Sequence, residues 1–199
     1  MDAIETLMNE HRTIERGIDA LISFVDEVSR AGTEDKAELG RFVTFIREFA
    51  DGCHHGKEED ILFAAMVEAG FPRHGGPVAV MLMEHDHGRA FVKELGDLVA
   101  KPEGWNADDR ELLVSAAHGY ANLLRQHIHK EDAILYPMAE QRLPPETMER
   151  VAADCERYEL EKAGSGERER LLGLVSELVA RHAPLEREEG SRSVRGCCG

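Results

Sequence analysis

The sequence predicts an all-α protein, an antiparallel up-down-up-down four-helix bundle followed by two shorter helices. Apolar residues recur at steps of three and four along four long segments, which is typical of helices with one buried face. Alternating β-branched runs and Asn-Gly turns, which mark strands and hairpins, are nearly absent. Because the connections between the long segments are short, we expect successive helices to run antiparallel.

The first two long helices are predicted at about residues 3–30 and from 33 or 35 to 69. Gly32 follows the first helix, and glycine is the residue that most often ends one. Gly52 and Gly56 lie inside the second helix, and each weakens a helix interior by roughly 1 kcal/mol relative to alanine. We therefore expect a kink or a packing reason near these two glycines.

The third long helix is predicted to begin at Pro77, because proline suits a first helical turn and the preceding GFPRHGGP has the composition of a loop. The fourth is predicted at about residues 107–141, and the proline pair at 144–145 stops it. Its inward-facing residues are expected to include Leu112 and Ile134.

Two shorter helices are predicted after the bundle, at about 146–162 and 167–181. The expected organisation is a bundle at 1–143, a helical extension packed on it at 144–183, and a flexible tail at 184–199. The tail has little apolar content, so it is expected to stay solvated.

Composition restricts the class of partner. The 199 residues carry 39 acidic and 24 basic side chains, a formal net charge of −15. This balance argues against nucleic acid and against an anionic membrane surface as partners. No apolar run is long enough to cross a bilayer, and no signal peptide is visible. Four cysteines are too few for a disulfide scaffold, so a cytoplasmic location is expected; two of them, Cys197 and Cys198, lie in the predicted tail.

Each long helix interrupts its own apolar stripe with ionisable side chains. His11 shares a face with apolar neighbours in the first helix, and His85 does so in the third. In the fourth helix His127 and Glu131 are four residues apart and face inward together. An ionisable group inside an apolar stripe needs a compensating partner, so these positions are candidates for a binding site.

An internal repeat links the second helix to the fourth. HHGKEEDILF at 54–63 aligns with HIHKEDAILY at 127–136, which superimposes His54 on His127 and Glu58 on Glu131. In a pseudo-symmetric bundle, the second and fourth helices would then each place a His-x-x-x-Glu motif at the same depth along the bundle axis.

Imidazole nitrogens and carboxylate oxygens suit first-row divalent metals, and two carboxylates that can each bridge suit a pair of them. Iron is the first expectation, because a mixed nitrogen and oxygen set leaves open positions for redox work. His55 is the weakest member, since it lies roughly 100° from His54 around the helix. The expected metal-binding residues are His11, His54, His55, Glu58, His85, His127 and Glu131.

Four motifs together resemble the hemerythrin-like (HHE cation-binding) family over about residues 1–140. They are EHRTIE around His11, CHHGKEEDILF, EHDHGRAFV and HIHKEDAILYP. The resemblance implies a four-helix bundle that holds two non-haem iron ions, bridged by oxo or hydroxo and by two carboxylates. It also implies a small-molecule partner, O2, H2O2 or NO, in oxygen, iron or redox sensing, detoxification or repair of iron–sulfur clusters.

The sequence departs from the oxygen-carrying members of that family. Those proteins place a second histidine four residues after the third-helix histidine, where this chain has Arg89. They also place the fourth-helix carboxylate at the position of Asp132, so Glu59 or Asp132 remains an alternative bridge to Glu58 or Glu131. This departure argues against simple reversible oxygen carriage. His54-His55-x-x-Glu58 instead resembles the layout of members related to an iron-sensing F-box protein.

Two other hypotheses stay open at this point. A ferritin-like oxidase would use Glu-x-x-His on two helices, but only residues 84–87 have that spacing. A structural or interaction bundle would use a redox-silent metal such as zinc only for stability. The sequence separates neither a catalyst from a sensor nor one oligomeric state from another.

Overall fold

The computed structural model describes residues 2–163 and 166–183, which form six helices and, within those ranges, no strand. The predicted tail at 184–199, with Cys197 and Cys198, lies outside the described residues. The helices are α1 (Ala3–Ala31), α2 (36–68), α3 (Pro77–Ala100), α4 (107–142), α5 (Pro145–Ala163) and α6 (Glu167–Arg181).

Local sequence signals fix the helix ends close to the predicted positions. The side chain of Asp2 caps α1 by accepting a hydrogen bond from the backbone N–H of Ile4 at 3.1 Å. Gly32 ends α1 in the left-handed conformation at φ 65°, as a glycine after a helix can. Asn106 and Asp109 form a reciprocal capping box at the start of α4.

Helices α2 and α4 contain π-helical turns around the repeated motif. In α2 they span Ile46–His55 and Glu58–Leu62, and in α4 they span Glu131–Leu135. Such turns are frequent at functional sites. The interruption expected near Gly52 and Gly56 is therefore present as π-helix.

Two residues predicted to face inward do not. Leu112 is 39% exposed while its neighbour Leu113 is fully buried, because adjacent helical residues point roughly 100° apart and only one can face the core. Ile134 is 51% exposed and Leu135 is buried. The π-helical turn there adds one residue to the turn and moves the inward position from Ile134 to Leu135.

The buried apolar side chains form two clusters, and the polar residues of the repeat lie between them. Helix α1 runs from the cluster that contains Leu7 to the one that contains Ile14, whereas α2 runs from Ala50 in the second cluster to Leu62 in the first. Helix α3 repeats the order of α1, and α4 repeats the order of α2. Contacts join α1 to α2, α2 to α3, α3 to α4, and α4 to α1.

The last two helices cover one side of this assembly. Both α5 and α6 contact α1 and α2, and each adds buried side chains to one apolar cluster, Val151 and Cys155 from α5 and Leu171, Val175 and Leu178 from α6. Within the described residues no helix is both long enough and apolar enough for a membrane span.

Candidate metal centre

The polar layer between the two apolar clusters holds all seven residues that the sequence singles out. Each is buried, with at most 4% of its surface exposed. Two come from each of α2 and α4 as the His-x-x-x-Glu pairs, and one more comes from α2 as the neighbouring His55. Helices α1 and α3 each contribute one histidine, His11 and His85. The structure therefore brings together at one level side chains that are up to 120 residues apart in the chain.

Their donor atoms fall into two overlapping groups. Within each group the donor atoms lie within 4.8 Å of one another, which is close enough to share one cation. Glu58 belongs to both groups, so its carboxylate lies between them. The His11 group is His11, His54, Glu58 and Glu131, and the His55 group is His55, Glu58, His85 and His127.

Several inward-facing atoms lack the hydrogen bonds that buried polar atoms normally have. In the described part of the chain, His54 Nε2 and Glu58 Oε2 have no hydrogen-bond partner, although they lie 3.6 Å apart. The Nε2 atoms of His85 and His127 lie 3.0 Å from each other. Two imidazoles brought nitrogen to nitrogen, next to an unsatisfied carboxylate, are what a bound cation would stabilise.

The five histidines of the two donor groups are held in place through Nδ1, the ring nitrogen that faces away from the centre. Each Nδ1 lies against a carboxylate oxygen, at 2.7 to 3.2 Å. Since an ionised carboxylate can only accept, Nδ1 donates, and in the neutral ring the lone pair is left on Nε2. The pairs are His11 with Asp132, His54 with Glu10, His55 with Asp51, His85 with Glu59, and His127 with Glu84.

These geometries answer which carboxylates face the centre. Glu58 and Glu131 belong to the donor groups, whereas Glu59 and Asp132 turn away and hold His85 and His11 at Nδ1. Carboxylates in that outer position orient the imidazole and make it a stronger ligand.

Cations hold every one of these outer carboxylates in turn. Arg12 pairs with Asp132, Lys57 with Glu10, and Lys130 with Glu84. Arg89 pairs with both Asp51 and Glu59, at 2.8 and 2.7 Å. Arg89 therefore takes the position of the missing family histidine but serves two outer carboxylates.

The pseudo-symmetry extends beyond the repeat seen in the sequence. A Glu-His pair precedes each copy of the repeated motif in the chain, Glu10-His11 in α1 and Glu84-His85 in α3. Each of these glutamates holds the histidine of the next long helix, and each is held by the lysine of that helix. We call the contributions of α1 and α2 the first half of the centre, and those of α3 and α4 the second half. Sequence reasoning missed Glu10, Glu84 and the lysines, although the repeated Glu-His pair was a visible signal.

Burial and neighbouring charges separate the pKa values of the two inward carboxyls. Burial raises the pKa of Glu58 well above its ordinary value, and the negative charge of Glu131 raises it further. Burial also acts to raise the pKa of Glu131, but the charges of His127 and His11, whose Nε2 atoms lie 3.1 and 3.3 Å from its carboxylate, hold this pKa below its ordinary value. Without a metal, this environment therefore favours the neutral form of Glu58 and the ionised form of Glu131.

The pKa values of the histidines also shift in opposite directions. Burial acts to lower the pKa of His11, yet the hydrogen bond to Asp132 and the negative charge of nearby Glu131 raise it to about 9. Burial lowers the pKa of His54, His55 and His85, which favours their neutral, ligating form.

Tyr136 is a buried residue of the centre that sequence reasoning missed. Its hydroxyl donates a hydrogen bond to Glu58 Oε1 at 2.5 Å and lies 3.4 Å from His11 Nε2. The equivalent position in the second helix is Phe63, which has no hydroxyl. Tyr136 follows Glu131 by five residues within the repeated motif, so alignment of the two copies could have identified it.

A cavity of about 250 Å³ reaches the His55 group from the surface. Asp51, His55, His85, Arg89 and Tyr120 are among its lining residues. The wall is mainly apolar around Tyr120, and the charged side chain of Arg89 is 40% exposed. A small molecule therefore has a route to this group.

A third cluster of potential donors, Glu10, Cys53 and Glu159, is not a comparable site. The ammonium group of Lys57 contacts both carboxylates and already supplies the positive charge there. Cys53 is buried, and burial raises the pKa of its thiol to about 11, so the thiol is protonated at neutral pH.

Comparisons with known proteins identify a cation-binding family. The model of the family described as hemerythrin HHE cation binding domain matches residues 2–139. The chain is 38% identical over 93 residues to "Iron-sulfur cluster repair protein YtfE" of Pectobacterium atrosepticum, a match that covers 43% of this chain and 40% of that protein.

Other relatives are more distant. "Probable iron-sulfur cluster repair protein" of Haemophilus influenzae is 28% identical over 133 residues, covering 65% of this chain and 58% of that protein. "Uncharacterized protein Rv1995" of Mycobacterium tuberculosis is 22% identical over 138 residues, covering 68% and 52%. The chain thus spans only part of the length of these relatives. No solved structure matches.

Proposed function

The chain belongs to the hemerythrin HHE cation-binding family, and from that premise we propose that it is a non-haem di-iron protein. It binds or reacts with O2, peroxide or NO, in oxygen, iron or redox sensing or in detoxification. Two relatives carry the name iron-sulfur cluster repair protein, and we place this chain in the same broad class of iron and redox stress handling.

The observation that carries the proposal is the uniform orientation of the five histidines. A core histidine kept only for packing needs no common orientation, whereas these five all place Nδ1 on a carboxylate. Histidines that bind metals are oriented in this manner by outer carboxylates. The arrangement therefore supports two cations, one for each donor group, with Glu58 shared.

The proposed ligands are the seven residues expected from the sequence: His11, His54, His55, Glu58, His85, His127 and Glu131. When bound, a pair of irons bridged by oxo or hydroxo would supply redox chemistry and an open position for a small molecule. The protein's own part is to hold the imidazoles in their ligating tautomer, to exclude bulk water, and to admit small molecules along the cavity beside Arg89 and Tyr120.

The alternating order of the apolar clusters along α1 to α4 supports an up-down-up-down antiparallel bundle. The family match, which ends at residue 139, supports a boundary near 143 between the bundle and the helical extension at 144–183. We propose that the protein acts in the cytoplasm.

The test is to load the purified chain anaerobically with Fe(II), count the iron and then expose it to air. We expect about two iron ions per chain and a visible absorption spectrum typical of a bridged di-iron pair. Rapid mixing of the reduced protein with O2, H2O2 and NO in turn then identifies the small molecule from the change in spectrum.

The same chain loaded with zinc is the control, because zinc has no redox chemistry and no visible spectrum. Far less than one iron per chain after loading would contradict the proposal. A protein that binds zinc tightly, gains thermal stability from it and gives no spectral response with iron would favour the alternative, a structural or interaction bundle.

A further inference from the structure

The two halves of the centre are covered differently on their outer side. In the second half, the lysine that holds Glu84 is Lys130, whose side chain is 34% exposed. In the first half, the equivalent Lys57 is fully buried, and α5 lies over it. The last two helices therefore cover the outer partners of only one half.

Helices α5 and α6 add two partly exposed charges next to the buried pair of Lys57 and Glu10. Glu159 of α5 contacts the ammonium group of Lys57 at 3.4 Å, and Arg168 of α6 contacts Glu159 at 2.5 Å. Arg168 also lies 3.9 Å from the carboxylate of Glu10. An alternating chain of charges thus runs from α6 through α5 and α2 to Glu10, which holds His54.

The bundle is shaped to receive this extension. A Cβ atom at Gly56 would overlap the hydroxyl of Tyr158, so glycine leaves room here for the Tyr158 side chain of α5 against α2. The hydroxyl of Tyr158 donates a hydrogen bond to the backbone carbonyl of Gly52 at 3.3 Å. The Tyr158 side chain of α5 thus packs on α2 at Gly52 and Gly56, directly beside His54 and His55.

We propose that Glu159 and Arg168 are positioning residues for the metal centre, acting through Lys57 and Glu10 on His54. The inference rests on the proposed di-iron function and adds that the C-terminal extension tunes one of the two irons. Neither residue touches the donor groups, so their effect is transmitted by charge.

The direction of each effect follows from the order of the charges. Glu159 offsets part of the positive charge of Lys57. Lys57 then neutralises Glu10 less, so Glu10 is a stronger acceptor for the Nδ1 proton of His54. A stronger acceptor makes the imidazole a stronger ligand. Removal of Glu159 should therefore weaken the His54 ligand, whereas removal of Arg168 should strengthen it.

The experiment compares iron release from the reduced di-iron protein into a ferrous chelator. In Glu159→Gln we expect one of the two irons to leave about threefold to tenfold faster, with the other unchanged. In Arg168→Gln we expect the same iron to leave more slowly, by about threefold at most. The double variant should return towards the wild-type rate.

Glu156→Gln is the matched control, because it removes the same charge from an exposed position of the same helix. A second readout is the reduction potential of the iron pair, which Glu159→Gln should raise and Arg168→Gln should lower. Loss of packing alone would instead shift the iron-release rate of both variants in the same direction.

Two results would overturn the inference while the proposed function stands. One is a wild-type protein with two irons whose release none of the substitutions alters beyond the Glu156→Gln control. The other is faster release in both single variants. A wild-type chain that retains no iron would instead overturn the proposed function, and this inference with it. If Glu159→Gln does not fold, the direction of the Arg168→Gln effect decides alone.

Discussion

The two halves of the centre are built from the same parts but differ in surroundings. Each half supplies a Glu-His pair from one helix and a His-x-x-Lys-Glu run from the next. The first half adds His55 and is covered by α5 and α6, so that Lys57 is buried. The second half adds the Tyr136 hydroxyl and leaves Lys130 partly exposed.

A repeated motif thus need not give equivalent sites. The inward carboxyls Glu58 and Glu131 occupy matching positions, yet burial raises the pKa of one and the nearby histidines lower the pKa of the other. The difference arises because His11 and His127 lie close to Glu131, at 3.3 and 3.1 Å. At Glu58, burial and the negative charge of Glu131 outweigh the hydrogen bond from Tyr136, which acts to lower the pKa.

The largest expected effects come from substitutions at Glu58 and Glu131, which should differ in their cost to stability. Glu58→Gln should abolish iron binding, because Glu58 belongs to both donor groups, and should leave the metal-free protein about as stable as the wild type. The reason is that burial favours the neutral form of the Glu58 carboxyl, which a carboxamide resembles in shape and charge. Glu131→Gln should impair iron binding and also destabilise the metal-free protein by about 1–3 kcal/mol, since it removes the negative charge that faces the buried His11 and His127.

Metal analysis and urea unfolding of the metal-free variants check this pair. Equal destabilisation by both substitutions would show that the two carboxyls carry the same charge, and would remove the asymmetry between the halves.

The next effect compares the outer glutamates. Glu10→Gln and Glu84→Gln should each weaken iron binding by about tenfold to a hundredfold, since each removes the partner that orients a histidine. Glu10→Gln should in addition cost about 3–5 kcal/mol of folding free energy, because Lys57 is buried and loses its main partner. Glu84→Gln should cost about 1 kcal/mol or less, because Lys130 can turn to solvent.

Chelator competition and chemical denaturation measure the two quantities separately. A larger loss of stability in Glu84→Gln than in Glu10→Gln would contradict the proposed importance of the covering helices.

The smallest expected effect is that of removing the Tyr136 hydroxyl. Tyr136→Phe makes this position like Phe63 in the other copy of the motif. We expect it to retain about two irons per chain and to destabilise the metal-free protein by about 1 kcal/mol, the contribution of one buried hydrogen bond. Tyr120→Phe is the control, since that ring is buried outside both donor groups. A drop to one iron per chain in Tyr136→Phe would make the phenol a ligand rather than a hydrogen-bond donor.

The sequence alone determined the helices and the inward donors, because both depend on neighbours within a few residues. Caps, glycines and prolines set the helix ends to within a few positions, and the three- and four-residue periodicity brought His11, His85 and the two His-x-x-x-Glu pairs to one face of each helix. His55 was the weakest prediction, and the structure shows it buried in the π-helical part of α2.

Tertiary structure alone decided which charges support those donors. Asp132 reaches His11 across 121 positions of the chain, and Glu159 reaches Lys57 across 102. No periodicity within one helix specifies such a pair, since many acidic side chains are available and only packing selects among them. The π-helical turns likewise moved the inward position from Ile134 to Leu135, because one extra residue in a turn changes which side chain faces the core.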